Sequence, residues 1–160
     1  PRSAALLLAA GLLLAAIALA GAELLRLPSS PCAGFGPEFQ CALDPLTAPS
    51  YTLGLRLKAL PWAALLAAAA LLALLLARGG SPWTRLGVWA LGSGLAMVAV
   101  DLAGSRLVRA GMEGMSVSKG DGTGGLVLVV EGAMFPGLGA QLGFGLLAVG
   151  VLALLWARRG

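Results

Sequence analysis

Histidine is absent from this 160-residue chain. That removes imidazole-ligated zinc, iron and haem sites together with the Ser–His and Cys–His catalytic pairs. Charge is scarce too: 11% of the residues are Asp, Glu, Lys or Arg, whereas 59% are hydrophobic. Soluble domains carry about 25% charged and about 45–50% apolar residues. With a mean hydropathy of +0.93, the apolar surplus exceeds what one water-soluble core can absorb. A phosphate-binding Gly-Lys loop, a serine-nucleophile signature and a C-x-x-C pair are all missing from the sequence, so it offers no familiar catalytic set. The formal net charge is +4, but the basic residues are scattered, with Arg158-Arg159 as the longest basic pair. Nucleic-acid binding needs clustered charge and is not expected, nor is any cofactor or metal.

Long apolar runs are what the sequence does have. Four stand out, at 4–22, 60–77, 83–103 and 135–156, each long enough to approach the roughly 20 residues that span about 30 Å of hydrocarbon. The first contains Ala18-Leu19-Ala20, a signal-peptidase-like site; its length favours a retained helix. The second opens on Pro61-Trp62, proline suiting a first helical turn and tryptophan an interface. It closes at Arg78-Gly79-Gly80-Ser81-Pro82, a tight turn that makes the second and third helices antiparallel neighbours. The third and fourth runs hold Gly87, Gly92, Ser93, Gly94 and the Gly139/Gly143 GxxxG pair, small residues that let helices approach closely in lipid. The expected fold is therefore an all-α integral membrane protein, a single four-transmembrane-helix bundle.

Two polar segments, 23–59 and 104–134, are expected as extracytoplasmic loops. Val117-Ser118-Lys119 and the β-branched run Leu126–Val130 flank a glycine-rich turn and are expected to pair as a short β-hairpin. Arg2, Arg78, Arg85, Arg158 and Arg159 lie in short segments without acids, whereas all seven acids fall in or beside the two long loops. The positive-inside rule then puts both termini and the 78–86 turn in the cytoplasm. Cys32 and Cys41 share the first outer loop with eight residues between them, where an oxidising compartment favours a disulfide. Closing so short a loop contributes about 2–3 kcal/mol in the chain-entropy model.

Asp101, near the outer end of the third helix, is expected to reach interfacial water or to pair with Arg106 or Arg109. Together with Glu23 and Arg26 at the corresponding end of the first helix it forms a candidate interface or ligand cluster. Gln141 is expected to make an interhelical hydrogen bond. Trp62, Trp83, Trp89 and Trp156 are read as interface anchors.

The C-x8-C loop, followed by Ser50-Tyr51, Gly54 and Pro61-Trp62-Ala63, resembles the vitamin K epoxide reductase family. That resemblance implies loop cysteines passing electrons to a membrane C-x-x-C beside a quinone; the second pair is absent here, so the activity is not carried over. The same cysteine spacing, with the glycine-rich helix from Pro136 to Gly150, is similar to claudin-like tetraspan proteins, although the tryptophan motif preceding their cysteines is missing. The function expected from the residues is non-enzymatic: a structural or accessory subunit presenting a disulfide-stapled outer surface to other membrane protein subunits. The alternative is a thiol–disulfide oxidoreductase working with a quinone or partner thiol. A small-molecule carrier would need an ionisable group deep in the bundle, and Asp101 is the one acid near it.

Overall fold

The computed structural model describes residues 2–27, 39–42, 46, 48–113, 116–119 and 136–159. Five helices and two short strands run along these residues: α1 (Arg2–Leu25), β1 (Phe39–Ala42), α2 (Ala48–Lys58), α3 (Pro61–Leu76), α4 (Pro82–Met112), β2 (Ser116–Lys119) and α5 (Leu138–Ala157). Three of the helices, α1, α4 and α5, are each long and apolar enough to cross a membrane; α2 and α3 meet that test only together, as a pair bent by 51°.

The bend has a covalent cause. Pro61 has no N–H, so the α2 hydrogen-bond ladder cannot continue through it, and the residue before a proline is pushed out of the helical region. Leu60 accordingly sits at φ −109° and ψ 21°, and α3 restarts with Pro61 in its first turn. The far end of α3 is closed by Gly79 and Gly80 at φ +77° and +104°, conformations that cost glycine little. Ser81 then caps α4, its Oγ accepting from the Thr84 N–H at 3.5 Å, with Pro82 as the first helical residue. From α4 the Arg85 guanidinium reaches back to donate to the Leu75 carbonyl, a cation at a helix C-terminus where the helix dipole favours it.

The helix α4 is the spine. Its buried positions include Gly87, Ala90, Gly94, Met97, Asp101, Gly104, Val108 and Gly111, alternating steps of three and four that keep one seam facing neighbours from Gly87 to Gly111. The first two thirds of this seam meet α5 in antiparallel fashion. A Cβ added to Gly94 would lie 2.6 Å from the Gly143 carbonyl oxygen, and one added to Gly143 would lie 2.7 Å from that of Gly94. The last third of the seam meets α2: a Cβ on Gly54 would lie 2.6 Å from the Val108 backbone nitrogen. Thus glycines on both sides bring the backbones together, the device that replaces hydrophobic driving force between helices in lipid.

The remaining helix, α1, packs on α3, and the buried residues of the two are alanines seven apart, Ala9 and Ala16 against Ala63 and Ala70. Elsewhere α1 offers its leucines outward, with Leu7 75% and Leu25 89% exposed. At one end of the spine Trp83 and Trp156 meet with ring centroids 6.2 Å apart. That contact brings the 78–86 turn and Arg158-Arg159 to the same end of the molecule. The two strands pair antiparallel, Phe39 opposite Lys119 and Ala42 opposite Ser116.

Several expectations are revised. The expected first outer loop contains α2, and the helix assigned to 83–103 runs on to Met112, so the second loop starts about two turns later than its polarity suggests. The strand at 117–119 exists, but the partner it has among the described residues is β1 from the other loop, which joins the two loops directly; Leu126–Val130 lies outside the described residues. Trp89 is not an interface anchor. It is buried and its indole Nε1 donates to the Ala68 carbonyl at 2.7 Å, tying α4 to the middle of α3. Replacing it with Phe keeps most of the packing but loses that bond. Thermal unfolding in detergent should then register a loss of about 1 kcal/mol.

Candidate functional site

Asp101 is the centre of the site. Helix α4 turns it inward on the same seam as Gly94 and Val108, and it is 3% exposed. Its Oδ1 lies 3.4 Å from Lys58 Nζ, and its Oδ2 accepts from the Gly137 backbone N–H at 2.8 Å. Gly137 is the N-cap residue of α5. The carboxylate therefore satisfies one of the donors left free at that helix start and places negative charge where the dipole favours it. Gly139 leaves the room for this: a Cβ there would lie 3.1 Å from Asp101 Oδ1.

Lys58 enters from the last turn of α2, itself a favourable place for a cation. Its ammonium donates to Ser105 Oγ at 2.6 Å. Ser105, one turn beyond Asp101, donates its own hydroxyl proton to the Asp101 backbone carbonyl at 3.0 Å. Four residues from two helices and the cap of a third are thus joined: the charges of α2 and α4 neutralise each other, and the pair anchors the start of α5. Burial of an unpaired ion is costly, and this pairing is what makes a 3%-exposed carboxylate tolerable.

Directly against the pair lies a cavity of about 470 Å³ between α3 and α4. Lys58, Asp101 and Gly139 close one end, while Ala64, Ala67, Ala68 and Leu71 on α3 face Ser93, Ala96, Met97 and Val100 on α4. The α3 residues recur at the three- and four-residue steps of one helix face, and three of the four are alanine. The helices consequently stand apart along a trough, which opens sideways: Ala64, Leu71, Ala96 and Val100 are all exposed at its margins.

The sequence-expected cluster is only partly assembled. Asp101 is at its heart but neither reaches water nor uses Arg106 or Arg109, both of which are exposed. Five residues on, Arg106 points about 140° away around the helix. Glu23 and Arg26 sit at the end of α1, half-buried and exposed respectively. They are joined by a backbone turn from Arg26 N–H to Glu23 carbonyl, and neither is a partner of Asp101. Gln141 is exposed on α5 instead of bridging helices: two residues past Gly139, it is about 200° around from the packed seam. The sequence reading missed Lys58 and Ser105. The signal for Lys58 was its place with Arg56 at the end of a segment headed by proline, a helix-terminus pattern; for Ser105 it was the four-residue step from Asp101. Cys32 lies outside the described residues and Cys41 falls on β1, so the disulfide stands as an expectation.

Comparisons with protein-family models, curated proteins and solved structures find no match. The functional reading accordingly rests on this geometry.

Proposed function

We propose that the chain is a four-pass integral membrane protein whose two extracytoplasmic segments form one joint surface for a membrane protein partner, an accessory or structural role. The observation that carries this reading is the β1–β2 pairing, which couples residues 39–42 to residues 116–119 across the two long connections. Two separate loops would not need a shared ladder; a single recognition surface does, because its parts must keep register. The bent α2–α3 pair supplies the fourth crossing, and the even count puts both termini in the cytoplasm beside Arg78, Arg85 and Arg158-Arg159. A Cys32–Cys41 bond would stiffen the same surface close to β1.

The test is site-specific photo-crosslinking in the native membrane from positions 40, 118 and 80. Crosslinks from 40 and 118 to one common protein, with none to it from 80, are the expected result. A chain that yields no protein adduct from either strand position, or one that is recovered from the cell without detergent, overturns the proposal.

A further inference from the structure

The trough between α3 and α4 has a shape and a chemistry that the partner-binding role does not use. Its floor and walls are mostly alanine, leucine, methionine and valine, with Ser93 among them, and one end carries the Lys58–Asp101 pair. We propose that it is a binding site for a single-chain amphiphile, an acyl chain bearing an uncharged hydroxyl- or ester-containing head, which enters from the bilayer with its head against Lys58 and Asp101.

Three observations support this. First, the volume of about 470 Å³ falls within the roughly 300–1,000 Å³ typical of small-molecule sites, and the lining has the usual form of many apolar groups with a few polar ones at a defined place. Second, the void is built in by residue choice. The face Ala64–Ala67–Ala68 is too small to fill the gap to α4, and walls that face empty space forfeit their dispersion contacts. Water does not fill apolar space of this kind, whereas an acyl chain from the surrounding lipid does. Third, the two ends differ. The margin at Leu71 is 51% exposed, so a chain can slide in laterally there. The Lys58 and Asp101 side chains at the other end are only 10% and 4% exposed.

The head is specified by charge. Lys58 and Asp101 cancel, so a phosphate or carboxylate would bring uncompensated charge into a largely desolvated end. A hydroxyl or ester oxygen needs no counter-ion and can share the donors and acceptors already in place. This inference rests on the membrane-spanning reading but is independent of any protein partner.

The test uses the full chain in phosphatidylcholine nanodiscs in alkaline buffer, with a monoacylglycerol carrying a diazirine in its acyl chain, followed by peptide mapping. Labelling is expected to concentrate on residues 64–71 and 93–100. Excess unlabelled monoacylglycerol should reduce it about tenfold, and the fatty acid of equal chain length should compete far less. Filling the trough by Ala67→Phe or, on the opposite wall, Ala96→Phe should lower labelling to the same degree; competition in the unsubstituted chain decides the matter should neither variant fold. Label spread over α1 and the outer face of α5 in proportion to their exposure, insensitive to competitor, overturns the site. Equal or better competition by the fatty acid overturns the uncharged head. Recovery of the protein without detergent would strike the membrane reading itself and is seen before any labelling.

Discussion

Asp101→Ala should nearly abolish recovery of folded protein. The substitution leaves the Lys58 ammonium beside a hole and strips the Gly137 N–H of its acceptor. Removing one partner of a buried ion pair costs about 3–5 kcal/mol, a large part of the 5–15 kcal/mol that holds a typical protein together. Asp101→Asn should fall between the two, since an amide oxygen can still accept from Gly137 while the charge is lost. The decisive comparison is the double variant Lys58→Met, Asp101→Leu. Exchanging a buried pair for apolar side chains is often neutral or stabilising by about 1–4 kcal/mol. The double variant should therefore recover most of the stability that Asp101→Ala loses, measured by thermal unfolding in detergent. Equal loss in single and double variants would show that the pair matters through the α5 cap alone.

The second large effect belongs to the glycine seam. Gly143→Ala places a methyl 2.6 Å from Val98 Cγ2 and 2.7 Å from the Gly94 carbonyl oxygen. Backbone cannot rotate away as a side-chain tip can, so α4 and α5 must separate along their length. Overpacking of this kind costs about 1–3 kcal/mol, and Gly94→Leu, with a longer wedge, should exceed it. Controls lie on the same helices. Gly92 and Gly145 have nothing within 4 Å of an added Cβ; changing either to Ala should be neutral or should gain up to about 1 kcal/mol of helix propensity. If Gly143→Ala and Gly145→Ala unfold alike, the close approach is not what holds the bundle.

The apolar runs read from the sequence correspond to helices because side-chain character alone marks them. Ala-, Leu- and Gly-rich stretches such as 60–77 have no competing assignment once charge is excluded. The edges were harder. Helix α4 continues through Gly104, Arg106, Arg109 and Gly111, residues that read as loop by polarity but whose every third or fourth position, Gly104, Val108 and Gly111, is needed against α2. The segment α2 was masked in the same way: Pro49 and Gly54 suggest a turn, yet proline sits in the first turn where it is tolerated and Gly54 is the point of contact with Val108. In both cases a glycine serving tertiary contact mimics a glycine serving a turn, and only the partner distinguishes them. Asp101 was legible as a candidate because an acid in an apolar run is expensive. Its partner was not, since Lys58 is 43 residues distant in the chain and nearer arginines offered a local alternative. The trough was not legible at all: alanines on α3 look like good helix formers, and nothing in a linear sequence says that no larger side chain from α4 fills the space they leave.

The unequal lengths of adjacent helices carry a consequence for the surrounding lipid. With 16 residues, α3 rises about 24 Å, whereas α4 with 31 residues rises about 46 Å, against hydrocarbon about 30 Å thick. On the membrane-spanning reading α3 alone is too short to cross and needs the bent α2 to complete its span, whereas α4 overshoots the hydrocarbon. In a bilayer of that thickness α4 would lean or project, each ångström of mismatch carrying a modest penalty. Reconstitution into bilayers of graded acyl-chain length should find a thickness at which this protein is most stable.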